Sequence, residues 1–332
     1  MSNKPFVSII MSVYNEKEMW LSQSIESILK QTYKNFEFII ILDNPSNICL
    51  KNMIIRYQNN DNRIVFIENH ENIGLTKSLN KGLCVCKGEF IARMDADDIS
   101  LVNRLERQIK YLRENGNIDF IGTNTIIIDE QDNEIKRIKY IPNKSKYINK
   151  LLRFYNPMNH PTWMFKRELL KDLKEYRDIP FAEDYDFVCR AVTYGYKVAN
   201  LNENLLKYRI RNNSICFENE LCQIEITKYI SSIYKSNKIN AISNEKLFCD
   251  VNGILKKINN RKIQMKFEKG NDLFKKGLLF IKKGNVISAI YYFVKSIIKS
   301  KYILYKFNRI IKVKVINSFL DMLNNSIYFN NI

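Results

Sequence analysis

The sequence predicts an α/β fold, a mainly parallel sheet with helices on both faces, followed by a C-terminal helical region. Three observations carry this expectation. Four short apolar runs rich in β-branched residues alternate with stretches of helical periodicity, polar residues gather where the runs end, and basic residues concentrate beyond residue 250. Apolar runs without in–out alternation belong to strands buried on both faces, and helical crossovers make such strands parallel.

The first run, Phe6 to Val13, breaks at Tyr14-Asn15-Glu16 and is followed by Leu21, Ile25, Ile28 and Leu29 at helical spacing. The pattern then repeats three times: strand Phe36 to Leu42 with helix Ile48 to Tyr57, strand Ile64 to Glu68 with helix Leu75 to Val85, and strand Phe90 to Met94 with helix Leu101 to Glu114. Phe120 to Ile128 and Glu134 to Ile138 read as a hairpin around the polar turn Asp129 to Asn133. A helix at Tyr147 to Phe154, a loop at Asn156 to Pro161, a strand at Thr162 to Phe165 and a helix at Asp184 to Thr193 follow. Two short strands, Lys197 to Asn200 and Leu205 to Arg209, close this part. From Ser214 onward the chain reads as helical, with Gly253, Gly270, Gly277 and Gly284 as punctuation and a helical hairpin at Leu273 to Ile281 and Val286 to Ile298. The expected domains are 1–215 and 216–332.

With 332 residues, 45% of them apolar, the chain has enough material for a large core. Its net charge of +18 is uneven: Val251 to Ile332 holds 17 Lys/Arg against 3 Asp/Glu. The opening residues lack the pattern of a signal peptide, and no apolar window is long enough to span a bilayer, so a cytoplasmic protein is expected. Seven scattered cysteines and two histidines without metal-site spacing suggest reduced thiols.

Ligands of parallel sheets bind beyond the carboxyl ends of the strands, and those ends carry Asn15, Asp43, Asn69 and Asp95. Asp95-Ala96-Asp97-Asp98 is the densest cluster. Adjacent carboxylates stay ionised together only if a cation neutralises them, and a divalent ion bridging to a diphosphate does so. The other reading is an acidic cap on the following helix, with Asp98 and Ser100 as capping residues. Asp184-Tyr185-Asp186 matches the same spacing but opens a helix, where residues two apart diverge. Asp184 therefore suits a general base at a fixed helix start, or an N-cap. Asp43-Asn44-Pro45 either meets a base or forms a turn. Gly74, after Asn72, lets backbone approach a nucleotide or only turns the chain. His160 reads as structural.

Taken in order, several segments resemble glycosyltransferase family 2, the bacterial GT-A enzymes, over about the first 210 residues. They are Val7 to Asn15, Gln23 to Tyr33, Asn72 to Leu83, Gly88 to Asp98 and Arg104 to Gln108. The last three look closest to the amylovoran-type subgroup. The resemblance implies the GT-A (nucleotide-diphospho-sugar transferase) fold and inverting transfer from a UDP-linked donor to a glycan or lipid-linked acceptor in surface-polysaccharide synthesis. Mn2+ or Mg2+ is the implied cofactor. Donor-nucleotide contacts would come from Val13, Tyr14, Asn15, Glu16, Asp43, Asn72, Gly74, Lys77, Arg93, Asp95 and Ala96. Asp97 would hold the metal and Asp184 would be the base, with His160, Glu183 and Arg211 as acceptor-side or supporting residues. This sequence departs from relatives at Asp43-Asn44-Pro45, where an acidic pair and glycine are frequent, and at Arg211, where histidine is frequent.

Two further readings compete. A metal-dependent nucleotidyltransferase could use the same aspartates, although no glycine-rich basic loop surrounds Asn15. A non-catalytic adaptor could act through the basic tail. Lys-rich helices with Phe, Ile and Tyr opposite suit an anionic membrane surface, at the inner face of the cytoplasmic membrane, better than nucleic acid, because no recognised nucleic-acid module accompanies the charge.

Overall fold

The computed structural model describes residues 7–138, 142–211 and 219–311. It contains two compact units. The first comprises Met1–Ile179, Glu183–Ser214 and Tyr234–Ala241, and the second comprises Pro180–Ala182, Ile215–Ile233 and Ile242–Ile332. The expected strand start at Phe6 and the segment Asn212 to Ser214 lie outside the described residues.

The first unit is built on a mixed sheet. In chain order its elements are β1 (Val7–Val13), α1 (Glu18–Leu29), β2 (Phe36–Leu42), α2 (Ile48–Asn60), β3 (Ile64–Glu68), α3 (Leu75–Val85), β4 (Phe90–Asp95), β5 (Ile99–Ser100) and α4 (Arg104–Glu114). Then come β6 (Phe120–Ile128), β7 (Glu134–Arg137), α5 (Ser145–Leu151), β8 (Met164–Lys166), α6 (Leu170–Leu173), α7 (Glu183–Thr193) and β9 (Val198–Arg209). The strand order is β3-β2-β1-β4-β8-β6-β9-β5, with β7 on β6. β1 lies parallel between β2 and β4, in register at Met11↔Ile40 and Met11↔Met94. β4 meets β8 antiparallel, which ends the parallel half.

Every residue of β2 is buried, as are all of β1 except Ser12, and these strands form the floor of the core with Leu21, Ile25, Ile28 and Leu105. Such burial is what an unbroken Ile/Val/Phe run demands. A second packing centre is aromatic: Phe120 lies edge-on to Trp163 at 4.8 Å, and Tyr176 stacks on Phe187 at 4.5 Å.

The structure corrects several sequence expectations. The two strands expected at Lys197 to Asn200 and Leu205 to Arg209 are one strand, β9, running parallel to β6 through register shifts at Thr123, Asn124 and Thr125. The polar stretch that suggests a break is satisfied within the sheet, where Asn124 Nδ2 donates to Asn202 Oδ1 at 2.7 Å. Helix α4 starts at Arg104 rather than Leu101, because the Leu101 N–H donates to the Leu205 carbonyl at 2.9 Å and Ile99–Ser100 pair with β9. Asp98 and Ser100 therefore cap no helix. At the end of α3, Cys84 is exposed and Cys86 buried.

The second unit is helical. It holds most of α8 (Glu220–Lys235), then α9 (Asn244–Ile258), α10 (Arg261–Lys282), α11 (Val286–Lys299) and helical residues 301–311. Its core is Leu221, Ile224, Ile258, Phe267, Phe274, Tyr302 and Ile303. Of the glycines read as punctuation, only Gly284 turns the chain, with φ +75°. Gly270 and Gly277 lie inside α10, where a Cβ on Gly277 would come within 2.6 Å of the Phe293 ring, so glycine serves close helix packing there. Among the described residues no helix is long and apolar enough to cross a membrane.

Candidate active site

The acidic loop leaves the last strand of the parallel half, where Asp95 at the end of β4 pairs with Ser12 of β1. Its course is fixed from both sides. Ser24 Oγ on α1 donates to the Asp95 carbonyl at 2.9 Å. From β9, Arg209 donates its Nε to the Asp97 carbonyl at 2.8 Å and its backbone N–H to Asp98 Oδ1 at 2.9 Å. The same guanidinium reaches Gln23 Oε1 at 3.0 Å and Asp132 Oδ1 at 2.5 Å. Sequence reading gave Arg209 no role. The strand it ends also carries Asn, Glu and Lys, so only its burial in the fold, which makes a guanidinium spend its donors on nearby acceptors, marks it out.

The side chains of the loop are held apart by arginines. Asp97 Oδ2 accepts from Arg211 Nε at 2.9 Å, and Asp95 is ion-paired with Arg93. Burial, then the charge of Asp95, pushes the Asp97 carboxyl up to about 6; Glu16 adds to the rise and Arg211 opposes it. Glu16 is itself raised by burial, with Arg211 opposing and Asp95 adding. Three carboxylates thus repel one another around two guanidinium groups. Asp98 differs: it is buried, its Oδ2 has no hydrogen-bond partner, and burial followed by Asp97 and Asp95 raises its pKa well above the usual range. Enclosed and bonded to the Arg209 N–H, Asp98 is a structural residue.

Carboxylate oxygens in this setting suit a hard divalent cation such as Mn2+ or Mg2+. Among the described residues no group of three His, Cys, Asp or Glu side chains is arranged to hold a metal by itself. A cation bound at this loop would take Asp97, with or without Asp95, and would need further oxygen donors from outside the chain. Ala96 contributes no side chain to this surface, because its methyl group is packed in the core.

The other expected donor contacts surround the ends of β1 to β3. Val13 is buried, and its carbonyl accepts from the Asp43 N–H at 2.7 Å. Tyr14 is half exposed and donates its N–H to Glu16 Oε2 at 2.8 Å, and Asn15 Oδ1 accepts from Asn47 Nδ2 at 3.1 Å. Asp43 is buried and accepts from Asn69 Nδ2, the Ile73 N–H and the Gly74 N–H at 2.7, 2.9 and 2.9 Å. It thereby shapes the 72–74 turn, where Asn72 Oδ1 also accepts from Gly74 at 3.0 Å and Gly74 takes φ +86°. Lys77 is exposed and lies 3.7 Å from Asp178.

The second acidic pair opens α7. Asp184 Oδ2 accepts from Asn156 Nδ2 at 2.9 Å and Oδ1 from the Tyr185 N–H at 2.6 Å. Burial raises the Asp184 pKa against these hydrogen bonds; Glu183 is pushed up to about 8 by burial and then by Asp184. Between two such neighbours the one with two hydrogen-bond donors keeps the negative charge. Asp186, two residues on, faces the interior. It is wholly buried between Arg177 and Arg190, and Arg190 also donates to the carbonyls of Leu173 and Glu175. This cluster anchors the start of α7 to residues 173–177.

Arg93 links the two acidic regions. It is buried, it interacts electrostatically with Asp95 and Asp98, and its positive charge also acts on His160, Glu183 and Asp184. Glu183 in turn feels the charge of Asp95. His160 stands in a 3-10 turn with Nε2 3.0 Å from Tyr176 Oη and its ring 4.4 Å from that of Trp163. Burial, then Arg93, holds its pKa well below normal, so it is a neutral member of the aromatic cluster.

Comparison with known proteins identifies the family and the fold. The family described as Glycosyl transferase family 2 matches residues 8–174. An uncharacterized glycosyltransferase of Methanocaldococcus jannaschii is 42% identical over 75% of this chain and 83% of its own length. The O-antigen biosynthesis glycosyltransferase WbnJ of Escherichia coli is 39% identical over 63% of this chain and 81% of its own. The amylovoran biosynthesis glycosyltransferase AmsE of Erwinia amylovora is 34% identical over 63% and 77%. Among solved structures, S. aureus TarS 1-349 in complex with UDP-GlcNAc superposes with TM-score 0.58 at 16% identity, covering 89% of this chain and 92% of that one. The mannosyltransferase PcManGT from Pyrobaculum calidifontis, in complex with GDP-Man and Mn2+, gives 0.55 at 15% identity over 89% and 87%. The fold is GT-A, and the chain is a glycosyltransferase that belongs to glycosyltransferase family 2.

Proposed function

We propose that the enzyme transfers a sugar, with inversion, from a UDP-linked donor to a hydroxyl of a glycan or lipid-linked acceptor in bacterial surface-polysaccharide synthesis. The observation that carries this reading is the buried Arg93, which is ion-paired with Asp95 at the strand end and near enough to Glu183 and Asp184 at the start of α7 for its charge to bear on both. Leaving-group stabilisation and proton removal must face the same reacting carbon, and few other uses need both.

In this reading Asp97, helped by Asp95, would hold a divalent ion, which when bound would supply positive charge to the departing diphosphate. The loops at Tyr14 to Glu16, Asp43 and Asn72 to Gly74 cradle the nucleoside. Asp184 accepts the proton of the acceptor hydroxyl as that oxygen attacks the anomeric carbon from the face opposite the diphosphate. Asn156 and the Tyr185 N–H aim the Asp184 oxygens, and Glu183, carrying its proton, leaves Asp184 the negative partner. Arg211 is a second diphosphate ligand: planar guanidinium donors match phosphate oxygens, and its pairing with Asp97 keeps it at the loop. The names of the polysaccharide relatives support the acceptor class, and the complexes of TarS with UDP-GlcNAc and PcManGT with GDP-Man and Mn2+ support a nucleotide-sugar donor and a metal.

Incubation with a panel of UDP-sugars, Mn2+ and oligosaccharide acceptors tests the reading. Released UDP and an NMR assignment of the product's anomeric configuration are the readouts. Transfer with inversion is expected; a product retaining the donor configuration, or pyrophosphate release from a nucleoside triphosphate, contradicts it.

A further inference from the structure

The helical unit carries an exposed apolar surface on α11. Helix α11 packs inward through Ala289, Phe293 and Ser296, with Phe293 5.2 Å from Phe274 of α10. A helix packed this way is expected to be polar on its far side. Here the far side is apolar: Ile287, Ile290, Tyr291, Val294 and Ile298 follow one another at spacings of one, three and four residues and are all at least half exposed, Ile287 at 84% and Ile298 at 79%. These five side chains form one stripe along about three turns. Exposed apolar residues in isolation are ordinary, but an aligned stripe on one helix marks a surface that meets something apolar.

The surrounding charge says what that is. From Lys282 to Lys301 the chain holds five lysines, at 282, 283, 295, 299 and 301, and no acidic residue. All five are exposed, and the Lys295 ammonium lies 4.3 Å from the centre of the Tyr291 ring, at the edge of the stripe. A second copy of this chain on the same face would set lysines against lysines, which disfavours self-association. A helix that cannot span a bilayer, with a strong apolar stripe and a lysine rim, is instead matched to the boundary between anionic headgroups and acyl chains.

We infer that the outward face of α11 is a membrane-docking surface, on which Ile287, Ile290, Tyr291, Val294 and Ile298 enter the acyl boundary of an anionic bilayer while Lys282, Lys283, Lys295, Lys299 and Lys301 meet its headgroups. The inference stands on the helical unit alone and does not depend on which sugar is transferred.

Co-sedimentation of the full chain with vesicles tests it. Binding to phosphatidylcholine vesicles containing phosphatidylglycerol is expected, falling with added salt and much weaker on phosphatidylcholine alone. The variant Ile287→Glu/Ile290→Glu/Val294→Glu, whose sites are already exposed, should bind at least about tenfold less tightly while keeping its circular dichroism. Lys295→Glu/Lys299→Glu should lose the preference for the anionic lipid. No sedimentation with anionic vesicles, or equal binding by the triple-glutamate variant, overturns the inference. So does a dimer, seen by light scattering, that the triple-glutamate variant dissociates.

Discussion

Two stretches of this chain share the pattern Asp-x-Asp, and the fold uses them in opposite ways. In Asp95-Ala96-Asp97 the carboxylates leave a parallel strand, and each faces a different arginine, Arg93 and Arg211. In Asp184-Tyr185-Asp186 the pair lies on a helix, so one carboxylate meets Asn156 while the other is wholly buried between Arg177 and Arg190. The comparison teaches that spacing alone does not define a site. In the proposed reading the loop pair shares a ligand, whereas the helical pair divides into a base, Asp184, and an anchor, Asp186.

Substitutions sharpen that contrast. Asp184→Asn should lower kcat by about 10³-fold, within the range for loss of a general base, while UDP binding with Mn2+ stays unchanged. A parallel loss of donor affinity breaks the division of roles. Asp186→Ala leaves two buried guanidinium groups without their carboxylate and should cost about 3–5 kcal/mol of stability, measured by urea unfolding. A cost under about 1 kcal/mol would demote the cluster to a packing contact.

Glu183 gives a pH test. Its folded pKa, pushed up to about 8, lies above the ordinary 4.5, so the folded state binds more protons than the unfolded state between those values. Stability from this group therefore falls as pH rises from about 4.5 to 8, by at most about 1.4 kcal/mol per pH unit. Glu183→Gln should flatten thermal stability across that window, and an unchanged slope counts against a buried Glu183–Asp184 pair. The smallest effect is expected for Arg211→Ala, about tenfold weaker UDP binding with little change in Tm.

Much of this was legible in the sequence. β1 to β4 announce themselves because strands buried on both faces need unbroken apolar runs, and polar residues end them. Legibility fails where a polar residue is satisfied by something distant in sequence. Asn202 and Asn204 look like a break, yet Asn202 is hydrogen-bonded to Asn124 and Asn204 pairs with the same residue across a bulged ladder. Arg209 shapes the acidic loop from 112 residues away in the chain. Asn156, legible only as the start of a loop, proves to orient Asp184. Such partners follow from the folded topology and leave no periodic trace.

The central claim is that a divalent ion at Asp97 joins the acidic loop to a nucleotide diphosphate. Calorimetric titration of UDP into the enzyme, with and without Mn2+, for wild type and Asp97→Asn tests it most directly. Metal-dependent binding in the wild type that disappears in Asp97→Asn is the predicted result; equal binding by both proteins, or binding indifferent to Mn2+, would contradict the claim.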